Sequence, residues 1–257
     1  MSSGPHLSLP VAMDLVAGLE RGELYLDYQP LLDLTTGRVE STEALIRWQH
    51  PTRGVLQPGA FLPQAQRSRL GPIITTFVLQ TVAKQWLAWQ ADGRQVRIAV
   101  NVPPIELCDF SVACALEVLL ESGFDPTCLV VEVTERRIAD VRAIEPTLDR
   151  LRSWGVRLSI DDFGTGESTL LRLQELEFHE IKIDRALTAG IARSRTGSHI
   201  VRFVTELAHQ LEMTVVAEGV ENDDEFDALC GLGVDVLQGY HVGRPGPPAV
   251  LEQHLVG

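Results

Sequence analysis

Positive charge is in short supply in this sequence of 257 residues. It has 22 lysines and arginines against 35 aspartates and glutamates, which gives a formal net charge of −13. Nucleic acids and anionic membranes attract basic surfaces, so this balance argues against binding of DNA or RNA and against a polybasic membrane patch. An excess of carboxylates suits a protein that holds divalent cations, although many acidic proteins use the charge for solubility alone.

Cysteine is scarce as well. The chain has four, none in a Cys-x-x-Cys pair and none with a histidine at zinc-finger spacing: Cys108, Cys114, Cys128 and Cys230. This pattern indicates neither a zinc site nor a disulfide framework, and we expect free thiols, as in proteins of the reducing cytosol.

Long apolar runs and targeting segments are also missing. No stretch approaches the ~20 apolar residues of a membrane span, and the N-terminal "MSSGPHLSLPVAMDL" lacks the basic region and apolar run of a signal peptide. There is no low-complexity segment, linker or obvious repeat. We therefore expect a soluble cytoplasmic protein with no membrane partner.

What the chain does have is an alternation of period-two and period-3.6 segments. Strands are predicted at 23–34, 39–48, 96–102, 128–134, 156–162, 180–184, 214–218 and 234–238. Helices are predicted at 11–20, 58–68, 72–91, 110–121, 139–154, just after Ser168, 196–211 and 222–231.

This alternation predicts an α/β fold. Near-continuous apolar strands are typical of parallel strands covered on both faces, and eight of them alternating with helices favour a barrel. The first strand is predicted to run antiparallel to the second, because the turn at 35–38 is short enough only for a hairpin. We expect a modified (β/α)8 TIM-like barrel over residues 23–257, preceded by an N-terminal helical extension over 1–22. A doubly wound open sheet is the alternative.

Seven successive strands carry a charged or amide side chain near the carboxyl end. In order, these residues are Glu43, Asn101, Glu132, Asp161 with Asp162, Lys182, Glu218 and Gln238; Glu135 lies just beyond its strand. In a parallel barrel these ends share one face, which is where active sites lie. One such residue would mean little, since strand ends meet water, but seven in series are hard to explain as solvated ends.

The residue types indicate the chemistry of this face. Carboxylate and amide oxygens without cysteine or histidine select hard cations, Mg²⁺ or Mn²⁺. At least five carboxylates need more than one cation, and a two-metal site is the usual arrangement for phosphodiester hydrolysis. The adjacent Asp161 and Asp162 fit such a site, one bridging two cations; capping of the following helix is the plainer alternative. The "DFG" at 162–164 is not a protein-kinase motif, because the chain has neither a Gly-rich loop nor an H-R-D motif.

Nine short motifs in order resemble those of the EAL-domain family. They are "YQP" (28–30), "EALIRW" (43–48), "FLPQA" (61–65), "VNV" (100–102), "VEVTE" (131–135), "DDFGTG" (161–166), "IKID" (181–184), "AEGVE" (217–221) and "QGY" (238–240) with "GRP" (243–245). The resemblance implies a modified barrel that hydrolyses cyclic di-GMP to linear pGpG with Mg²⁺ or Mn²⁺. It also implies a homodimer. Many family members carry a sensor or diguanylate-cyclase-like domain, for which 257 residues leave no room, so we expect a standalone or excised domain.

The resemblance further implies a role for each matching position. Glu43, Asn101, Glu132 and Asp161 would bind a first metal, and Asp161, Asp162 and Glu218 a second, with Glu218 also as general base. Lys182 would hold a water or stabilise developing charge. Substrate contacts would come from Gln29, Leu45, Arg47, Asp184 and Gln238, and Glu135 would support the loop after "DDFGTG".

Four residues depart from the family pattern, although none is a proposed ligand: Gln66, Pro103, Arg136 and Glu167. Two other functions stay open. One is a non-hydrolysing receptor that binds cyclic di-GMP and acts through a protein partner. The other is hydrolysis of a different phosphodiester, such as pGpG itself.

Overall fold

Eight strands close into a barrel in the computed structural model, which describes residues 10–134, 141–164 and 176–255. The described strands are β1 (Leu24–Asp33), β2 (Arg38–His50), β3 (Gly54–Leu56), β4 (Arg97–Asn101), β5 (Leu129–Thr134), β6 (Arg157–Phe163), β7 (Glu180–Ile183), β8 (Thr214–Ala217) and β9 (Val236–Gln238). Around the barrel they follow the order β1, β2, β4, β5, β6, β7, β8, β9, and β3 pairs outside it with β2.

The first strand is opposite in direction to both of its neighbours in the barrel. β1 pairs antiparallel with both β2 and β9, whereas β2 and β4 to β9 are parallel to one another. The short turn between β1 and β2 forces this direction, because a parallel connection would need a long crossover. The modified TIM-like barrel is confirmed, and the open sheet is wrong because β1 closes the ring.

Helices follow most of the strands. The described ones are α1 (Pro10–Glu20), α2 (Pro58–Arg67), α3 (Gly71–Ala91), α4 (Pro104–Leu107), α5 (Phe110–Glu121), α6 (Val141–Ser153), α7 (Arg185–Thr188), α8 (Arg195–Gln210), α9 (Asp223–Gly231) and α10 (Pro248–Leu251). The long helices lie where they were predicted. The sequence patterns missed β3, the four-residue helices and two 3₁₀ turns, Pro126–Cys128 and Ile191–Arg193. The helix expected after Ser168 lies outside the described residues.

Each parallel strand separates an apolar outer face from a partly polar inner face. In β5, Val131 and Val133 are fully buried in the main core, while Glu132 between them points the other way, into the barrel. Burial of each such valine contributes about 1.5–3 kcal/mol. The outer layer therefore stabilises the barrel and leaves the inner face able to carry charge.

The N-terminal helix shares this core. Leu15 of α1 is fully buried in the same cluster as Trp48 and Phe61. All four cysteines have free thiols, as expected. Across the described residues, no helix is both long and apolar enough to cross a membrane.

Candidate active site

A single lysine ammonium lies at the centre of the polar cluster inside the barrel. Lys182 on β7 is 1% exposed, and its Nζ is 2.7 Å from Glu132 Oε1 and 2.7 Å from Glu218 Oε1. The same Nζ is 3.4 Å from Glu43 Oε2 and 4.0 Å from Asp161 Oδ1. One cation therefore faces four carboxylates from four other strands or strand ends, an arrangement that stays negative when all are ionised.

Glu43 is held by hydrogen bonds from both sides. Asn101, at the end of β4, donates through Nδ2 to Glu43 Oε1 at 2.6 Å, and Gln238 at the end of β9 donates through Nε2 to Oε2 at 2.6 Å. Gln238 Nε2 also donates to Gln29 Oε1 at 3.1 Å, and Gln29 Nε2 donates to the Gly243 carbonyl at 3.2 Å. This chain of amides fixes the Glu43 carboxylate in one orientation.

A break in β6 explains why two adjacent aspartates serve one site. The register between β6 and β7 shifts between Ile160 and Phe163, and Asp162 adopts a left-handed φ of 60°. In a regular strand, neighbouring side chains point to opposite faces. Because of the bulge, Asp161 and Asp162 both line the same cavity. Aspartate tolerates the left-handed region better than most residues.

Glu218 follows β8 immediately, and Gly219 turns the chain away. The Glu218 amide continues the ladder by donating to the Ile183 carbonyl at 3.1 Å, and Thr188 of α7 donates to the Glu218 carbonyl. Gly219 has a φ of 71°, and a side chain there would overlap Arg185. Glycine at 219 is what allows Glu218 to face the cluster.

Burial and mutual repulsion shift the pKa values of the cluster. Burial, opposed by Lys182, raises the pKa of Glu218 to about 8 and raises the pKa values of Glu132 and Asp161. Burial also pushes the pKa of Glu43 upward, but Lys182 and the bonds from Gln238 and Asn101 outweigh it, so this pKa lies below its ordinary value. Burial alone would lower the pKa of Lys182; the carboxylates hold it well above normal.

These shifts predict that the metal-free protein loses stability as the pH rises. Between about pH 5 and 8 the unfolded chain has already released the protons that Glu218, Glu132 and Asp161 still bind when folded, so the free energy of unfolding falls. We expect the melting temperature in EDTA to drop by about 5 °C or more between pH 6 and 9. Glu218→Gln, measured in parallel, should flatten the decline. A melting temperature that is constant or rises over this range would contradict the assignment.

The donor set fits a hard cation. It consists of carboxylate and amide oxygens, and Glu132 Oε2 is buried without a hydrogen-bond partner in the part of the chain that the structure describes. Within that same part, no three acidic or histidine side chains converge as a preformed ion site. The ammonium of Lys182 lies between the carboxylates and balances only part of their charge, so the cluster keeps negative charge that a bound cation can offset.

The predicted substrate contacts have different surroundings. Arg47 is buried, and its Nε donates to Asp27 Oδ2 on β1 at 2.9 Å. Leu45 is half-buried and lines the cavity beside the cluster. Asp184 caps α7 by accepting from the Ala186 amide at 2.8 Å, so its carboxylate has a local structural role. Glu135, with Arg136 and Glu167, lies outside the described residues.

The cluster opens into a cavity of about 600 Å³ that continues beneath α2 and α3. Gln66 and Pro103, two of the positions that depart from the family pattern, line it. So does Glu106 of α4, a buried carboxylate that the sequence patterns did not single out. No periodic signal in "NVPPIELCD" marks Glu106 as buried, because a glutamate just after a strand is ordinarily solvated.

Comparison with known proteins identifies the family. The EAL domain matches residues 12–245. The chain belongs to the EAL-domain family. It is 40% identical over 239 residues to an uncharacterized signaling protein of Caulobacter vibrioides, covering 92% of this chain and 29% of that protein. It is 35% identical to the cyclic di-GMP phosphodiesterase PA2567 of Pseudomonas aeruginosa, covering 96% of this chain and 42% of that protein.

A solved EAL structure has the same fold. The PaMucR phosphodiesterase in complex with c-di-GMP superposes with a TM-score of 0.89 at 36% identity, covering 95% of this chain and 100% of that one. The curated relatives are longer: this chain spans 29% and 42% of the two named above. The shared unit is therefore the EAL domain alone.

Proposed function

We propose that this EAL domain is a metal-dependent phosphodiesterase that hydrolyses cyclic di-GMP to linear pGpG. The observation that carries the proposal is the complete oxygen-rich cluster at the carboxyl ends of the strands, with Lys182 in contact with Glu43, Glu132 and Glu218. Relatives named as cyclic di-GMP phosphodiesterases support it. A receptor that does not hydrolyse its ligand has less support, because each predicted ligand position is retained.

Two divalent cations, Mg²⁺ or Mn²⁺, would bind to the oxygens of this cluster. Bound there, they would supply Lewis acidity and neutralise charge at the phosphodiester. The proposed ligands are Glu43, Asn101, Glu132, Asp161, Asp162 and Glu218. Glu132 Oε2 has no hydrogen-bond partner among the described residues, and this atom and the fixed orientation of Glu43 favour oxygen coordination at this place.

The chain's own residues would divide the remaining work. A water oxygen forms a new bond to phosphorus, the bond from phosphorus to one ribose oxygen of the ring breaks, and the proton of the water passes to the Glu218 carboxylate. The released ribose oxygen takes up a proton from solvent and becomes the free hydroxyl of linear pGpG. A nearby cation would lower the pKa of Glu218 from about 8, which keeps it ionised and able to accept this proton. Lys182, fixed by two carboxylates, would balance negative charge that develops on the phosphoryl oxygens.

The direct test is product analysis of the purified protein. Incubated with cyclic di-GMP and Mn²⁺, it should produce pGpG on a chromatogram, and EDTA should abolish the reaction. Ca²⁺ should bind without supporting turnover, because its larger radius and looser coordination alter the geometry. Binding without hydrolysis in Mn²⁺ would favour the receptor, and conversion of added pGpG would favour the broader phosphodiesterase.

We expect Arg47 to serve binding more than chemistry. Loss of a charge-assisted bond to phosphate in Arg47→Ala should raise KM roughly 30-fold or more, with a smaller change in kcat. Asp27→Asn, which leaves Arg47 without its carboxylate partner, should raise KM less. Arg38→Ala, at the exposed start of β2, is the matched control and should behave as wild type. Equal KM values for Arg47→Ala and Arg38→Ala would disprove the phosphate contact.

The remaining proposals rest on the family resemblance. We propose that the domain forms a homodimer in the cytoplasm and that Glu135 supports the loop after "DDFGTG" (161–166). Light scattering at micromolar concentration tests the first part, and a fully active monomer would contradict any obligatory coupling between dimerisation and catalysis.

A further inference from the structure

A second cavity lies at the opposite end of the barrel from the candidate active site. Its volume of about 580 Å³ is within the range of small-molecule sites. Arg38 and Arg97 are the first residues of β2 and β4, and Cys128 directly precedes β5, so the cavity is at the amino ends of these strands. Along β4, Arg97 and Asn101 are about 13 Å apart, from the usual rise of a strand. We call this space the amino-end cavity.

The wall of the amino-end cavity is positive, although the protein as a whole is strongly negative. Among the described residues that line it are three arginines, Arg38, Arg94 and Arg97, and one carboxylate, Glu40. Arg38 and Glu40 both come from the start of β2 and offset each other in charge. Arg94 and Arg97 therefore give the wall an excess of positive charge, whereas the chain has a net charge of −13. Such a wall attracts an anion.

Arg97 is half-buried, and its guanidinium has no carboxylate partner among the described residues. The next residues of β4 with the opposite orientation, Ile98 and Val100, belong to the main core, so Arg97 lies on the other face of the strand and lines the cavity. A guanidinium is always charged and offers five N–H donors. Holding it partly out of water without an acceptor is costly, and an anion in the cavity would remove that cost.

Arg94 is held in place by the end of α3. Gly93, with a φ of 76°, turns the chain out of the helix, and the Arg94 amide donates to the Trp89 carbonyl at 2.9 Å. Arg94 Nη1 is 2.8 Å from Asp92 Oδ2, in a pair whose carboxylate side chain is 64% exposed. An exposed pair of this kind contributes little to stability. The other N–H groups of the Arg94 guanidinium can donate to a ligand at the same time.

A phosphate monoester fits both the charge and the lining of this cavity. Arginine pairs with phosphate oxygens through two parallel N–H bonds, which gives geometric selectivity as well as affinity. The wall also contains apolar side chains, Val39, Val96 and Leu255, which can contact an organic group attached to the phosphate. Nucleic acid or a membrane would need a broad basic surface, which a net charge of −13 disfavours.

We propose that the amino-end cavity binds a small phosphate monoester, with Arg97 and Arg94 donating to the phosphate oxygens. The inference is independent of the proposed hydrolysis, which belongs to the carboxyl ends of the strands. It gives the domain a second binding site that can be occupied together with the first.

Calorimetry in EDTA with GMP, inorganic phosphate and guanosine tests the proposal. Without metal, Lys182 is held by carboxylates and the cluster around it attracts no phosphate, so binding reports the amino-end cavity. Wild type should bind GMP and phosphate at a single saturable site per chain. Guanosine, which lacks the phosphate, should bind about tenfold or more weakly than GMP, because the charge-assisted bonds are lost.

Two arginine variants and one control test the assignment of the ligands. Arg97→Gln should weaken binding of GMP about tenfold or more, and Arg94→Gln should weaken it in the same direction. Arg202→Gln removes the same charge from the exposed side of α8 and should bind GMP as wild type does. Arg94 lies in a loop outside the core, so Arg94→Gln keeps the test decisive even when Arg97→Gln folds poorly.

The thiol of Cys128 reports where the ligand binds. It is free and half-buried in the cavity wall, whereas the free thiol of Cys230 is exposed on α9. Burial and Asp125 raise the pKa of the Cys128 thiol, and Arg97 is among the groups that oppose this rise, so guanidinium and thiol are near each other. At about twice its Kd, GMP should slow alkylation of Cys128 by N-ethylmaleimide about threefold, with Cys230 unchanged, as measured by peptide mass spectrometry.

Each outcome supports or overturns the inference. Weaker binding by the arginine variants, together with protection of Cys128, establishes the site. Absence of saturable binding in wild type, equal affinity for GMP and guanosine, or unchanged affinity in both arginine variants would overturn it. Saturable binding that leaves Cys128 unprotected would also overturn it, because the ligand would then lie outside the cavity. None of these results depends on hydrolysis of cyclic di-GMP, so the proposed function is tested separately.

Discussion

Glu218→Ala is expected to lose turnover of cyclic di-GMP by about 10³-fold or more, in the range of a lost general base that is also a cation ligand. The carboxylate lies at the end of β8, 2.7 Å from the Lys182 ammonium, with its oxygens facing the cluster. Binding of the dinucleotide should survive in part, because Glu43, Asn101, Glu132 and Arg47 remain. Calorimetry in Ca²⁺ and turnover in Mn²⁺ measure the two quantities separately.

Glu221→Ala is the matched control for this variant. Glu221 lies three residues further on, is half-exposed and pairs with Arg185 at 2.7 Å, so its loss should leave kcat nearly unchanged. The metal-free form of Glu218→Ala should be as stable as wild type or more stable at pH 8, since one carboxylate of a mutually repelling group is gone. Hydrolysis by Glu218→Ala within tenfold of wild type would show that the proposed mechanism is wrong.

The second large effect is expected for Lys182→Met. Methionine fills a similar volume but leaves the carboxylates of Glu43, Glu132 and Glu218 without their shared cation. Breaking a buried ion pair on one side costs about 3–5 kcal/mol, because the remaining charge is buried without compensation. In EDTA, the free energy of unfolding should fall by this amount at pH 8 and by less at pH 6, where the carboxylates bind protons more readily.

Metal should distinguish the electrostatic role of Lys182 from a packing role. If the loss is electrostatic, Mn²⁺ should restore most of the stability of Lys182→Met, while kcat stays about 10²-fold or more below wild type because no ammonium balances the phosphoryl charge. Lys84→Met, at the chain's only other lysine and exposed on α3, is the control. Equal melting temperatures of Lys182→Met in EDTA at pH 6 and 8 would contradict this explanation.

The barrel, and which polar residues lie together inside it, could be predicted from the sequence. Buried parallel strands appear in the sequence as apolar runs. A polar residue at the carboxyl end of each run lies on the same face of the barrel as the others. Glu43, Glu132 and Lys182 could be assigned to that face without knowledge of any distance. The short turn at 35–38 was enough to predict the direction of the first strand.

Other features depend on contacts between distant segments, which no local pattern contains. The bulge at Asp162 depends on a register shift of β6 against β7. The Arg47–Asp27 ion pair joins β2 to β1, and the alternation of apolar and polar residues in these two strands would look the same without this pair. Glu106 is buried only because α3 and α4 meet around it. The short β3 has three residues, too few for a period to be recognised.

The antiparallel first strand also determines where the barrel closes, which is at the pairing of β1 with β9. β1 pairs with β2 over ten residue pairs but with β9 over only three, Leu31 to Asp33 against Val236 to Gln238. The hairpin can form early from local contacts, whereas the junction with β9 must bring together ends about two hundred residues apart, which is entropically slow. The Gln238–Gln29 hydrogen bond crosses this short junction. We therefore expect completion of the ring and final positioning of Glu43 to occur together, late in folding.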